Sequence, residues 1–312
     1  MQKKKNTTLF IVFLILLAWT IVYFNLENKS SGISFDESMF SIEDTAAVHK
    51  ISIRGEGISN VLSRGTQNWT VNDIYPMDPS MQKVLMSVLH QVKVKRTVPR
   101  NDLDRIKDDI LANGYKVEVS DVQNGKTVFY AGGNGISLSY FMKEDNIPYI
   151  VHLPGYESYV TGIFEVHEND WRDRVIFQTS WLGLKSYILN YTDDPGNNIH
   201  ISADNNLYSI EGIAKIDTTT LMNYLDEVSF FYTDQYIDQG QISLYDSLRN
   251  TKPFAQLLVN SLGMKVPVRI DFFRQLDEEN VMLGLLNENQ MCLFNAKRIQ
   301  VIFQEKDHFR YK

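Results

Sequence analysis

Cysteine is almost missing from this 312-residue chain, and basic residues are in the minority. One cysteine excludes a disulfide framework and a cysteine-rich metal site. The 31 Lys and Arg against 38 Asp and Glu give a net charge of −7. This balance argues against a nucleic-acid partner, because such proteins need a basic face. A hydrophobic content of 44% with 22% charged residues excludes wholesale disorder, and the length suggests two domains.

The one long hydrophobic run lies at the amino terminus. Residues 9–24 carry no charge, and twelve of these sixteen residues are Leu, Ile, Val or Phe. With two preceding threonines the run would span roughly 27 Å as a helix, which is enough for a thin bilayer core. We therefore predict a basic cytoplasmic tail at 1–8, a transmembrane helix at 9–24 and a polar spacer at 25–38. The residues assigned to the anchor are Lys3, Lys4, Lys5, Leu9, Trp19, Tyr23 and Phe24.

The charge before this run predicts its orientation. Three lysines and no acid place the amino terminus in the cytoplasm by the positive-inside rule. The chain would then be a single-pass protein of the bacterial inner membrane, with the lipid bilayer as partner through residues 9–24 and the remainder extracytoplasmic. A cleaved signal peptide is the alternative, although the run is longer than the usual stretch of roughly 7–15 residues and no Ala-x-Ala-like site follows.

Beyond the spacer, strand and helix patterns recur in two similar sets. Asp78-Pro79 predicts a helix start, and apolar residues at helical spacing follow as far as Val92. Asp217 precedes a second such helix. The apolar residues of the two helices can be aligned as Leu85, Met86, Leu89 and Val92 with Leu221, Met222, Leu225 and Val228. Strand candidates surround both helices in the same order, which favours an internal repeat of about 135–140 residues.

These patterns predict an α+β fold. The transmembrane helix would be followed by two tandem related units, each an antiparallel sheet with amphipathic helices. The first unit, with a junction segment, is predicted at 39–180 and the second at 181–312. The junction contains Trp171-Arg172-Asp173-Arg174. We expect Trp171 to pack there and the arginines to pair with acids, and we take Trp171, Arg172 and Arg174 as candidate interaction residues. An anion site clamped by arginine is the alternative.

Fragments that look like catalytic or ligand-binding motifs lack the partners that their chemistry needs. Ser80 and Lys83 have Ser-x-x-Lys spacing without the other motifs of penicillin-binding enzymes. His167-Glu168 lacks the second histidine of a zincin. The glycines of residues 132–135 precede a strand pattern, whereas a phosphate loop precedes a helix. We therefore predict no catalytic residue, no cofactor and no metal site. Residues 230–232 and Tyr236 are the best stretch for an aromatic sugar platform, although packing in the core is favoured.

Several segments together resemble a known family. They are residues 51–53, 67–72, 94–99, 149–155 and 171–174, in addition to the hydrophobic run. Over about 9 to 230 the chain resembles the uncharacterised bacterial family numbered 4340 among domains of unknown function. The resemblance implies a membrane-anchored extracytoplasmic protein whose gene neighbours encode components of ABC-type transporters, including auxiliary proteins of the gliding-motility type. It supplies no functional residue.

We accordingly expect a non-catalytic accessory or scaffold protein. Its partners would be the permease or auxiliary proteins of an ABC-type transporter. One alternative is a module that binds a glycan or a small solute, which an aromatic-lined cleft between the units would favour. The other is a hydrolase of envelope polysaccharide, which needs two facing carboxylates in such a cleft.

Overall fold

The computed structural model describes Phe13, residues 16–20 and residues 35–312 apart from 123–124, 205–206 and 275–279. Strands dominate these residues and form two large sheets and one small one. The strands of the first large sheet are β1 (Val48–Gly55), β2 (Ile58–Arg64), β3 (Trp69–Val71), β4 (Tyr75–Pro76), β5 (Lys93–Thr97), β6 (Tyr115–Asp121), β7 (Gly125–Gly133), β8 (Ser139–Met142) and β9 (Pro148–His152). Their order across the sheet is β4-β3-β2-β1-β6-β7-β8-β9-β5, with all neighbours antiparallel.

Two helices cover the first sheet, one on each face. Helix α1 (Pro79–Gln91) begins where predicted, because the Asp78 carboxylate accepts hydrogen bonds from two backbone N–H groups of the first turn. It buries Leu85 and Leu89 against the main core of the sheet. Helix α2 (Leu103–Asn113) packs on the other face, against β7, β8 and β9.

The remaining strands build the second unit. They are β10 (Val175–Gln178), β11 (Leu184–Tyr191), β12 (Ile199–Asp204), β13 (Leu207–Ile210), β14 (Phe230–Tyr232), β15 (Gln235–Ile237), β16 (Ala255–Ser261), β17 (Val268–Phe272), β18 (Val281–Leu286) and β19 (Gln290–Asn295). Strands β10 and β14 pair with each other, and the other eight form an antiparallel sheet of order β13-β12-β11-β16-β17-β18-β19-β15. The helices from the junction onward are α3 (Glu168–Trp171), α4 (Thr218–Glu227), α5 (Ser243–Arg249) and α6 (Ala296–Ile299).

The two large sheets share one strand order. The first sheet from β3 to β5 has the order β3-β2-β1-β6-β7-β8-β9-β5. Each of these strands takes the same place in its sheet as the strand of the second sheet whose number is ten higher, so that β1 corresponds to β11. The long helices α1 and α4 also lie at equivalent places, and Asp217 caps α4 as Asp78 caps α1. Only β4 lacks a counterpart among the described strands of the second sheet.

The predicted fold class is wrong. The described residues are mostly sheet, with helices as short coverings, rather than an α+β chain headed by a transmembrane helix. The local patterns locate most strands, but they do not show that eight or nine strands join into one continuous sheet. That joining depends on pairings between distant segments such as β5 with β9.

The predicted membrane anchor is also contradicted. Within the described part of the chain, no helix has the length and apolar content needed to cross a bilayer. Phe13 and residues 16–20 are helical, and Trp19 is exposed. This finding overturns the predicted single-pass helix at 9–24 and with it the predicted location in the inner membrane. The other residues assigned to the anchor lie outside the described residues, namely Lys3, Lys4, Lys5, Leu9, Tyr23 and Phe24.

Candidate functional site

A short backbone strap joins the two units. It consists of residues 171–174, which are the last residue of α3 and the three residues after it. On one side the Asp78 N–H donates to the Trp171 carbonyl, and the Asp173 N–H donates to the Pro76 carbonyl, each at 2.8 Å. On the other side the Tyr236 hydroxyl donates to the Asp173 carbonyl at 2.9 Å. Since these bonds reach both sheets, the strap holds the two units together.

Arg172 lies at the centre of this junction and is only 6% exposed. Its guanidinium carbon is 3.6 Å from the ring centroid of Tyr75 in the first unit and 3.8 Å from that of Tyr236 in the second. Nη1 donates to Asn169 Oδ1 at 2.8 Å and to Gln290 Oε1 at 2.9 Å. Among the described residues no carboxylate lies within 4.0 Å of it. Two aromatic faces and two amides therefore stabilise this buried charge in place of an acid.

Tyr236 is part of the same cluster. Burial raises the pKa of its hydroxyl to about 12, and the neighbouring Arg172 guanidinium opposes that rise. The hydroxyl therefore stays protonated at neutral pH, which keeps it a hydrogen-bond donor to the strap. The same side chain closes one wall of an adjoining cavity.

That cavity is a cleft of about 310 Å³ between the two units, which we call the junction cleft. Three chain segments build its walls. They are the turn between β1 and β2 with the start of β2 (57–60), α3 with its preceding residue (167–170), and β15 with the loop after it (235–241). The turn needs glycine, since Gly57 has a φ of +70°. The lining is mainly polar, and Tyr236 is the one aromatic residue in it.

Asn60 is the most buried polar residue of the cleft wall, at 2% exposed. Its Nδ2 donates to the Val166 carbonyl at 2.8 Å, which fixes the amide. Its Oδ1 has no hydrogen-bond partner in the part of the chain that the structure describes. This oxygen is not one of the fully buried polar atoms that lack a partner, so it is accessible to solvent and offers a fixed acceptor to a ligand in the cleft.

The carboxylates of the cleft differ in their partners. Glu168 accepts a hydrogen bond from the Asn72 side chain. Asp170 lies 3.8 Å from a guanidinium nitrogen of Arg174. Asp238 is exposed, and its carboxylate has no partner within the described residues. Among the described residues no group of three or more His, Cys, Asp and Glu is placed to hold a metal ion.

The residues predicted from the junction motif have different environments. Trp171 is fully buried in the core of the first unit, and its indole N–H donates to the Val166 carbonyl at 3.2 Å. Arg172 is the buried clamp, and its N–H groups contact the amides of Asn169 and Gln290. The expected pairing with an acid is therefore wrong for Arg172. Arg174 is half exposed beside the cleft, where it is paired with Asp170 as expected of a junction arginine. The structure brings all three to one place, but only Arg174 is accessible.

The suggested aromatic platform is only partly present. Phe231 is buried and stacks on Phe177 and Phe294 inside the second unit. Tyr236 does reach the cleft, yet one face of its ring is covered by Arg172. Sequence reasoning did not predict Asn60 or Asp238 as cleft residues. The sequence offered one signal for Asn60, which is a polar residue among strand-forming residues. Polar residues inside sheets need partners.

Comparisons with known proteins add no further constraint: no family model, no curated protein and no solved structure matches this chain.

Proposed function

We propose that the protein is a non-catalytic binding protein whose ligand is a small, uncharged, hydroxyl-rich solute held in the junction cleft. The observation that carries this proposal is the fixed, buried Asn60 side chain, whose oxygen is left without a partner in the wall of a polar cavity. A cleft of about 310 Å³ lies at the lower end of small-molecule sites, roughly 300–1,000 Å³. It therefore suits a ligand of monosaccharide or disaccharide size.

The charge balance supports an uncharged ligand. Three carboxylates border the cleft, which disfavours an anion. Arg174 offsets one of them and Arg172 lies behind the wall, so the site is also not built to hold a strong cation. Amide and carboxylate oxygens remain as acceptors for several hydroxyl groups, and the polar lining contributes specificity through hydrogen bonds.

The environment of the acids supports a role without catalysis. A hydrolase of polysaccharide would need two carboxylates on either side of the scissile bond. In this cleft Glu168 is bonded to an amide and Asp170 faces a guanidinium. Glu168 and Asp170 are therefore each engaged by a neighbour of their own, rather than by an opposing acid.

The test is binding of defined sugars to the full chain by isothermal titration calorimetry. Glucose, galactose and N-acetylglucosamine are suitable probes, with inorganic phosphate as the anionic comparison. We expect at least one sugar to bind and phosphate not to bind. Asp238→Ala should weaken sugar binding about ten- to a hundredfold, since one hydrogen bond to a charged group contributes about 1.5–3 kcal/mol.

Asp226→Ala is the matched control, because Asp226 is also an exposed acid and does not line the cleft. It makes the same change in net charge and should bind the sugar like the unmodified chain. Failure of every sugar to bind would contradict the proposal. Equal weakening by the two variants would show that the effect is one of net charge.

An accessory role beside an ABC-type transporter is the second candidate. It derives from the family resemblance, and an exposed apolar patch of Trp181, Leu182 and Leu262 favours it. The loops that carry the patch are adjacent, because the Leu262 N–H donates to the Gly183 carbonyl at 2.7 Å. Contiguous exposed apolar groups of this kind mark protein contact sites more often than isolated ones do.

Co-purification with a tagged transporter permease tests this second role. The double variant Leu182→Ser with Leu262→Ser should lose the complex. Ile136→Ser, at an exposed apolar residue of the first unit, should retain it. Recovery of no permease with the unmodified chain would count against the accessory role.

A further inference from the structure

The first unit contains a cavity of its own, of about 610 Å³, which we call the edge cavity. It is lined by Lys95 of the edge strand β5, by residues 137–138 before β8, by residues 150–153 at the end of β9, and by the loop 155–158. Among the described residues none lines both this cavity and the junction cleft. The edge cavity is therefore a separate site, with a volume in the range of small-molecule sites, roughly 300–1,000 Å³.

Hydrogen bonds within the chain hold two walls of the edge cavity. On one side, Asn134 Oδ1 accepts from the backbone N–H groups of residues 136–138. On the other side, the Tyr156 N–H donates to the Leu153 carbonyl at 3.0 Å, and Gly155 closes this turn with a φ of +82°. Both walls are thus formed by the chain itself before any ligand arrives, which lowers the ordering cost of binding.

Strand β5 brings positive charge to the cavity. Its pairing with β9 shifts register between Val94 and Arg96, so Lys95 is an extra residue in the strand. A bulge of this kind redirects a side chain relative to the regular alternation of a strand, and Lys95 lines the cavity. Lys93 and Arg96 lie on either side of it in the sequence. The strand that borders the cavity therefore carries three cations, in a chain whose net charge is −7.

Two donor side chains of the cavity lining are available to a ligand. In the part of the chain that the structure describes, neither Lys95 nor His152 has a hydrogen-bond or ion-pair partner for its side chain. The ammonium group donates only, and a neutral imidazole still has one N–H to donate. Glu157 is the acid of the described lining and is exposed. Its charge disfavours a ligand with several negative charges, so the donors suit an anion with a single charge.

The rest of the lining includes a group of apolar side chains. Leu138, Ile150, Leu153 and Tyr156 all line the edge cavity. Ile150 is buried and packs in the small core between the sheet and α2, whereas Leu138 and Tyr156 are exposed. A ligand that covers these side chains removes apolar surface from water, which favours binding. The cavity therefore combines donors for an anion with a surface for a hydrocarbon body.

We propose that the edge cavity binds an organic monocarboxylate with an apolar body. Lys95 and His152 hold the carboxylate by hydrogen bonds from an ammonium and an imidazole group, and the apolar lining contacts the hydrocarbon. This proposal does not rest on sugar binding in the junction cleft, because the two sites share no lining residue.

The probe is octanoate, added to the full chain at concentrations where it is monomeric and measured by isothermal titration calorimetry. Acetate keeps the carboxylate without the body, octan-1-ol keeps the body without the charge, and octylammonium reverses the charge. We expect octanoate to bind at least about tenfold more tightly than each of the three, because it alone uses both parts of the lining. In the ¹⁵N-labelled chain, octanoate should shift the amide resonances of residues 136–138 and 152–158.

Variants of the chain test the two parts of the lining separately. Lys95→Met should weaken octanoate binding about ten- to a hundredfold, while Lys95→Arg keeps the charge and should retain most of the affinity. Leu138→Ser should weaken octanoate and octan-1-ol alike. Lys83→Met is the matched control, because Lys83 is an exposed lysine of α1 that does not line the cavity, and it should bind octanoate like the unmodified chain.

Four results would overturn the proposal. They are no binding of octanoate, binding of octylammonium or acetate as tight as that of octanoate, equal weakening by Lys95→Met and Lys83→Met, and octanoate-induced shifts that lie outside the edge cavity. Circular dichroism of each variant shows that the change in affinity does not come from loss of the fold.

Discussion

Replacement of Arg172 is the sharpest test of how the two units are held together. The guanidinium is stacked between Tyr75 and Tyr236, at 3.6 and 3.8 Å, and Nη1 donates to two amide oxygens. Arg172→Ala removes all four contacts at once and leaves both amide acceptors without this donor. Arg172→Lys keeps the charge but loses the planar group that can stack on two rings and donate sideways.

The magnitude follows from opposing contributions. Two desolvated cation–π contacts provide roughly 2 kcal/mol each, and each hydrogen bond from a charged donor contributes about 1.5–3 kcal/mol. Against this, burying a guanidinium without an acid costs several kcal/mol, which the alanine variant recovers. We expect a net loss of about 3 kcal/mol for Arg172→Ala and about 2 kcal/mol for Arg172→Lys.

Urea unfolding followed by tryptophan fluorescence and circular dichroism measures both values. Arg172→Ala should also lower the m-value or give a separate unfolding transition for each unit. Units that no longer share the clamp unfold less cooperatively. Arg54→Ala is the matched control, because Arg54 is exposed, and it should change stability by no more than about 0.5 kcal/mol. If Arg172→Ala behaves like this control, the clamp does not stabilise the junction.

Three further predictions concern the second unit. Gly284→Ala should destabilise the fold by about 1–3 kcal/mol, because the new methyl group would lie 2.6 Å from the buried Phe294 ring; chemical denaturation measures this, and an unchanged midpoint would contradict it. The Cys292 thiol should not react with Ellman's reagent until the chain unfolds, since burial raises its pKa to about 12; rapid labelling of the folded protein would contradict this. The pKa of Asp217 is lowered, and the largest cause is the hydrogen bond that its carboxylate accepts from the backbone N–H of Thr220. A lowered folded-state pKa contributes stability above the unfolded value of about 4, and this contribution is lost as the pH falls through the folded-state pKa. Asp217→Asn lacks that titration, so its stability relative to the unmodified chain should rise as the pH falls below about 4; a constant difference in unfolding free energy across the pH series would refute the cap's role.

Local signals located much of the secondary structure. The helix start predicted at Asp78 and Pro79 agrees with α1, and the second helix predicted after Asp217 agrees with α4. These successes share a cause, because capping and apolar periodicity act within a few residues of the chain.

Other elements had no such local signal. Strand β15 consists of Gln235, Tyr236 and Ile237, which show no alternation long enough to indicate a strand. It forms by pairing with β19, so that Tyr236 lies opposite Cys292. Strands β4 and β10 were missed for the same reason, and the overall fold class was wrong because sheet size depends on such pairings.

By itself, the sequence determined the acidic balance, the boundaries of several helices and the junction as the place where Trp171, Arg172 and Arg174 lie. Only the tertiary structure decided what these residues do. Arg172 donates to Gln290 across 118 residues of chain, and the walls of the cleft come from segments that are far apart in sequence. The physical reason is that capping and periodicity act over a few residues, whereas a clamp or a cleft exists only once distant strands have paired.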